Sequence, residues 1–247
     1  MKQAVLYVCH GSRLPKAREE AVSFIEKCQK KIEADIQQIC FLELATPLIK
    51  DGFQACVEQG ASRIAVVPLL LFSAVHAKVD IPNEIQQMKE LYPFIEVTYG
   101  KPIGVHEKMA DTVIERVKES NELNTTSNVI LIGRGSTDTE AIRDFQTLAE
   151  WVKRKTGVLH VSTCFLHGGK PHFEDALQQV SNDKQATFFV PYLLFTGLLM
   201  KDIERKINGA QKKNPQIHLC RYLGYAPQVE EVFVERVREA IELSKGE

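Results

Sequence analysis

The sequence lacks any apolar run long enough to cross a bilayer. Its longest, Ile64 to Val75, contains Pro68 and Ser73 and falls far short of the roughly 20 residues a spanning helix needs. No C-x-x-C pair occurs among the cysteines at 9, 28, 40, 56, 164 and 220, which argues against a zinc ribbon, a thioredoxin-like couple or a locally ligated iron–sulfur cluster. Sparse and mostly set in apolar stretches, these cysteines are expected to be reduced core residues. Charge of one sign is missing too. Lys+Arg 31 against Asp+Glu 32 leaves a net −1, so no global field draws nucleic acid or an acidic membrane, and neither is an expected partner. Met1-Lys2-Gln3 leads into a short apolar segment without a small-residue cleavage site, and the expected location is the cytoplasm. The G-x-x-x-x-G-K-[ST] phosphate loop, the G-x-S-x-G elbow and the H-E-x-x-H zinc helix are all absent. Gly133-Arg134-Gly135-Ser136 only partly matches a dinucleotide turn, because the third glycine is missing.

What is present is a repeat. Val5-Leu6-Tyr7-Val8-Cys9-His10-Gly11-Ser12 returns as Val129-Ile130-Leu131-Ile132-Gly133-Arg134-Gly135-Ser136. Cys40-Phe41-Leu42-Glu43 returns as Cys164-Phe165-Leu166-His167, and Val67-Pro68-Leu69-Leu70-Leu71-Phe72-Ser73 as Val190-Pro191-Tyr192-Leu193-Leu194-Phe195-Thr196. The apolar frames survive while the polar residues that end them change: His10 faces Arg134, Glu43 faces His167 and His76 faces Leu199. One half is expected to keep chemistry and the other to keep the scaffold.

Segments 3–9, 37–43, 62–71 and 94–99 are short and rich in Val, Ile, Leu and aromatics, and they read as strands. Stretches 15–33, 47–59, 78–91 and 106–119 carry helical spacing, with Thr46-Pro47 expected to cap and open the second helix. The alternation resumes at 128–133, 159–166, 186–194 and 217–222. Near-continuous apolar strands joined by crossover helices imply parallel sheets buried on both faces. The expected fold is α/β, two tandem Rossmann-like domains. The polar stretch 119–128 is the expected linker, giving domains 1–122, with the active site, and 123–247, a degenerate copy.

Three unusual polar residues stand where predicted strands finish: His10, Glu43 and His76. Ligands bind beyond the carboxyl ends of strands in open parallel sheets, so the three could share one cleft wall. His10 sits in a strand-to-Gly-Ser turn, where it either works or merely secures the turn; Arg134 at the matching position argues that the turn needs no histidine. Glu43 interrupts an apolar strand end, where a partly buried carboxylate can take protons, or else cap a helix or pair with a Lys or Arg. His76, taken alone, reads as a satisfied core or cap residue. Together, two imidazoles and a carboxylate suit a borderline divalent metal. His167 could face a cleft or the solvent. His106, His160, His172 and His218 read as structural or solvated, and the basic clusters at 152–155 and 212–213 as wet helix faces.

Val8-Cys9-His10-Gly11-Ser12-Arg13, Phe41-Leu42-Glu43-Leu44, Val66-Val67-Pro68-Leu69-Leu70-Leu71, Ala74-Val75-His76-Ala77-Lys78-Val79-Asp80-Ile81-Pro82 and Tyr99-Gly100-Lys101-Pro102-Ile103-Gly104 occur in order. Together they resemble the class II tetrapyrrole chelatases that insert Fe²⁺ or Co²⁺ into sirohydrochlorin, and the resemblance spans essentially the whole chain. It implies two Rossmann-like halves around a cleft for the macrocycle, with His10 as metal ligand and proton acceptor, His76 as second ligand and Glu43 as the carboxylate that helps take pyrrole protons. It implies substrate contacts from Leu71, Phe72, Ser73, Ala74, Val75, Ala45 and Thr46. The eight substrate carboxylates would need local cations, for which Arg13, Lys78, Lys101, Arg134 and Lys201 are candidates. No permanently bound cofactor is expected; the metal is a substrate, and the protein is expected to be a monomer. Cys9 stands where many relatives have glycine. The histidine-rich region and cysteine-bearing tail of some longer cobalt-inserting relatives are absent, which favours Fe²⁺ over Co²⁺. A non-catalytic metal or tetrapyrrole carrier and an enzyme of phosphate ligands are the competing readings.

Overall fold

The segment Gln3–Cys9 is apolar at both alternating positions and forms β1, buried at six of its seven residues. A strand buried on both faces belongs inside a covered parallel sheet, and β1 lies there. The computed structural model describes residues 2–243. In chain order the first elements are β1, α1 (Pro15–Gln29), β2 (Ile36–Phe41), α2 (Ile49–Glu58), β3 (Arg63–Leu69), a π-helical turn (His76–Asp80), α3 (Ile81–Leu91), β4 (Glu96–Tyr99) and α4 (Glu107–Ser120). The second series is β5 (Asn128–Gly133), α5 (Thr139–Thr156), β6 (His160–Phe165), α6 (Phe173–Gln179), β7 (Thr187–Pro191), α7 (Leu198–Gln211), β8 (Ile217–Leu219) and α8 (Pro227–Glu242). All strand pairs are parallel, in the orders β2-β1-β3-β4 and β6-β5-β7-β8, so the expected duplicated α/β architecture is present.

Each sheet is covered on both faces. In the first, Leu6, Val8, Ile64 and Val66 pack with Ile49 and Phe53 of α2 and Ile81 and Ile85 at α3. On the opposite face Phe233 of α8 meets Tyr7 and Phe24, with ring centroids 6.1 and 5.7 Å away. In the second, Ile130, Ile132 and Phe189 pack with Phe173 of α6 and Ile203 and Ile207 of α7. Phe145 of α5 lies on the other face against Phe165 and Tyr192.

Two compact units result, Met1–Gly104 with Glu230–Glu247, and Val105–Val229. This division differs from the expected cut at 122, because the last helix of each repeat packs on the other repeat's sheet. The apolar stripe of α4, Met109, Val113 and Val117, is buried with unit 2, and that of α8, Phe233, Val237 and Ala240, with unit 1. Polar composition marks where the chain turns; it does not say which sheet a helix covers.

A pair of arginines holds the two exchanged helices. Arg116 of α4 donates from Nε to the Tyr222 carbonyl (3.0 Å) and from Nη2 to that of Leu223 (2.7 Å). Arg236 of α8 donates from Nε and Nη2 to the Ile103 carbonyl (3.3 and 3.2 Å) and from Nε to that of Pro102 (3.2 Å). Each also pairs with a glutamate one turn on, Glu119 and Glu239. Both guanidiniums thereby satisfy backbone carbonyls where the chain leaves the edge strand. Replacing Arg116, 4% exposed, with Met should cost about 2–3 kcal/mol in urea unfolding, since two carbonyls lose charged donors, whereas Lys118→Met on the solvent face should stay within about 0.5 kcal/mol.

Candidate active site

The ends of β1, β2 and β3 are level. Cys9 at the last position of β1 pairs with Phe41 and with Leu69, so the chain departs from three adjacent strands at one height. Beyond the strands the ladder continues in backbone bonds: the Leu42 N–H donates to the Cys9 carbonyl (2.8 Å) and the Glu43 N–H to that of His10 (3.1 Å). Gly11 makes this approach possible. Its φ of 96° lies in the left-handed region, and a Cβ there would stand 1.8 Å from the Glu43 carbonyl oxygen. The same device recurs in unit 2, where Gly135 has φ 95° against the His167 carbonyl and the His167 N–H donates to that of Arg134 (2.9 Å). Leu44, beside Glu43, has φ 62°, uncommon for a branched side chain, and is exposed.

His10, Glu43 and His76 come together: ligand atoms of the three lie within 4.8 Å of one another. His10 Nε2 is 3.7 Å from Glu43 Oε1, and the two imidazoles meet edge to face, centroids 4.9 Å apart. The His10 Nδ1 is 3.1 Å from the Gly11 carbonyl, which turns Nε2 toward Glu43. Four-coordinate bonds of about 2.1 Å would set ligand atoms about 3.4 Å apart, so the trio is spread wider than a closed structural site. Among the described residues no other His, Cys, Asp or Glu set converges in this way.

Three details differ from expectation. Glu43 lies two residues past β2 with its side chain 49% exposed, so the carboxylate faces water rather than an apolar strand end. The helix expected to open at Pro47 starts at Ile49; Thr46-Pro47 is a cis peptide, and the cap is made by Asp51, whose carboxylate accepts from the Leu48 N–H (2.9 Å). His76 opens the π-helical turn, not an α-helix.

Leu71, Phe72, Ser73 and Ala74 are half-buried in the loop between β3 and the π turn, and Val75 is exposed beside His76. Ala45 is half-buried and Thr46 exposed in the loop after Glu43. Arg13, Lys78 and Lys101 are exposed residues of unit 1, whereas Arg134, His167 and Lys201 are exposed residues of unit 2. Of the remaining histidines, His106 accepts from the Lys108 N–H at the start of α4 and His218 stacks on Phe188. Asp80 enters the sequence reading only as part of a motif, with no role assigned to it. Its Oδ2 lies 2.7 Å from His76 Nδ1, and the signal available was a carboxylate four residues after a candidate histidine.

All six cysteines are free and buried. Burial pushes the Cys9 thiol up to about 12, and Cys28, Cys56, Cys164 and Cys220 are likewise raised to about 12. Cys9 therefore stays a neutral thiol, although it adjoins His10 in sequence; thiolate, not thiol, is the metal ligand and nucleophile. A thiol-specific disulfide reagent at pH 8 should modify none of the six in the folded protein over minutes and all six after denaturation.

The chain matches the CbiX family over residues 4–120 and again over 128–240, once per repeat. It is 45% identical to the sirohydrochlorin ferrochelatase of Bacillus subtilis (strain 168) over 248 residues, covering 100% of this chain and 95% of that protein. It is 33% identical to a sirohydrochlorin cobaltochelatase of Priestia megaterium, covering 97% of this chain and 80% of that one. The solved structure of SirB from Bacillus subtilis with Fe³⁺ has a TM-score of 0.93 to it at 44% identity, covering 100% of this chain and 98% of that chain. A duplicated parallel fold, one histidine–carboxylate trio at its strand ends and a match in each half identify the chain as a member of the CbiX family.

Proposed function

We propose that the protein inserts Fe²⁺ into sirohydrochlorin, without ATP, to form siroheme, with His10 and His76 holding the incoming ion and Glu43 taking protons. The convergence of these three side chains within 4.8 Å carries the reading, in a chain 45% identical along its length to a sirohydrochlorin ferrochelatase. The lower identity to the cobaltochelatase, 33%, favours iron over cobalt.

Insertion exchanges two pyrrolic protons for one divalent ion, so the site must release a cation and accept protons in one event. Two imidazoles and a solvated carboxylate bind a borderline ion without the permanence of a thiolate cage. Three protein ligands leave coordination positions open to the ring nitrogens, which can then displace them in turn. Each displacement frees a base: once the ion has left His10, the Nε2 lone pair can accept a proton beside Glu43. Leu44 and Val75, exposed apolar residues next to Glu43 and His76, suit the faces of a macrocycle. Arg13, Lys78 and Lys101 can meet its carboxylates as exposed cations of the same unit.

Anaerobic incubation of the purified protein with sirohydrochlorin and Fe²⁺, followed by the visible spectrum of the macrocycle, tests this. The intact protein should exceed spontaneous insertion, and His10→Ala should fall at least a hundredfold, to about the spontaneous rate, while still binding the macrocycle. A faster rate with Co²⁺ under competition would move the assignment to cobalt, and binding without insertion by the intact protein would make it a carrier.

A further inference from the structure

The chain between β3 and α3 differs from its copy by a single residue, and that residue lies in the π turn. Buried core positions Ala77, Ile81 and Ile85 correspond to Met200, Ile203 and Ile207. The first step is four residues in the N-terminal repeat and three in the C-terminal repeat; the second is four in both. The aspartates before the matched isoleucines, Asp80 and Asp202, correspond, while His76 corresponds to Leu199. His76 and Asp80 are thus four apart where the copy has three. In unit 2 the helix runs unbroken from Leu198 to Gln211, and Asp202 pairs with Arg205 and Lys206 instead.

Specific backbone chemistry stabilises the wider turn. The Ile81 N–H donates to the His76 carbonyl, five residues back, instead of to that of Ala77. Pro82 has no N–H, so it cannot serve the Ala77 carbonyl either. That carbonyl accepts instead from the Tyr99 hydroxyl (2.8 Å), and burial raises the Tyr99 phenol, keeping it protonated and donating. The copy has Glu204 at the position of Pro82, with an N–H to offer.

We propose that this one-residue insertion exists to place Asp80 against His76, making Asp80 a positioning residue for metal hand-over. Accepting the Nδ1 proton at 2.7 Å, the Asp80 carboxylate fixes the tautomer in which His76 Nε2 carries the lone pair. It also restrains the ring against rotation toward solvent and enriches the electron density of Nε2. The inference rests on the metal-inserting reading above for its purpose, but not for its geometry.

Two readouts on Asp80→Asn separate these layers. Nitrogen-15 histidine correlation spectra of the metal-free protein near pH 8 report the tautomer. Wild type should show a protonated Nδ1 and bare Nε2 at His76, and the variant a mixture or reversal. Titration with Co²⁺ alone, read by its visible bands, should then show about ten- to a hundredfold weaker binding in Asp80→Asn, with KM for Fe²⁺ rising similarly and KM for sirohydrochlorin unchanged. Asp80→Glu should recover part of both. Unchanged tautomer, or unchanged Co²⁺ affinity, in a variant whose circular dichroism matches wild type would overturn the proposal. Failure of the wild type to insert metal, with the tautomer shift still present, would instead remove the functional reading and leave the His76–Asp80 pairing standing.

Discussion

The placement of His10 beside Glu43 depends on two loops touching at one backbone contact. The turn after β1 presses against the loop after β2 so closely that only hydrogen fits at position 11, and the Glu43 N–H then reaches the His10 carbonyl. That bond fixes the roots of both side chains relative to a rigid sheet before any ligand arrives. Catalytic geometry on strand ends is more reproducible than on free loops because the hydrogen-bonded ladder sets the height of each chain exit. The matching contact at Gly135 and His167 shows that this scaffold does not depend on the residues it carries.

The repeat made the doubled parallel sheet legible, because buried central strands leave apolar runs that survive duplication. His10, Glu43 and His76 were legible for the converse reason: polar residues that differ between two copies of one frame stand out. Strand ends alone, however, gave Glu43 an apolar setting, and the chain leaves β2 two residues earlier, so the carboxylate is wet. The helix exchange was not legible, since α4 and α8 have equivalent apolar stripes and either sheet could bury either one. The π turn was also hidden; one residue more or less in an amphipathic stretch looks like ordinary scatter until the core positions of both copies are matched.

The two halves preserve different parts of one plan. Both keep the glycine turn, the bridge after the second strand, and an arginine that holds the last helix to outgoing carbonyls. Only the first has imidazoles at both places where the second has Arg134 and Leu199. Scaffold and candidate chemistry therefore rest on separable residues, with the aspartate an instructive intermediate: it is present in both copies and has a histidine partner in one, basic partners in the other.

The exchange of α4 and α8 makes neither repeat self-sufficient. A fragment ending near residue 122 would carry a helix whose apolar stripe fits the missing sheet, while the face around Tyr7 and Phe24 would lose the cover of Phe233. Such a fragment would leave both apolar surfaces uncovered in a single copy. In the intact chain each repeat supplies the helix that covers the other's sheet, so the burial of either sheet depends on the presence of both repeats.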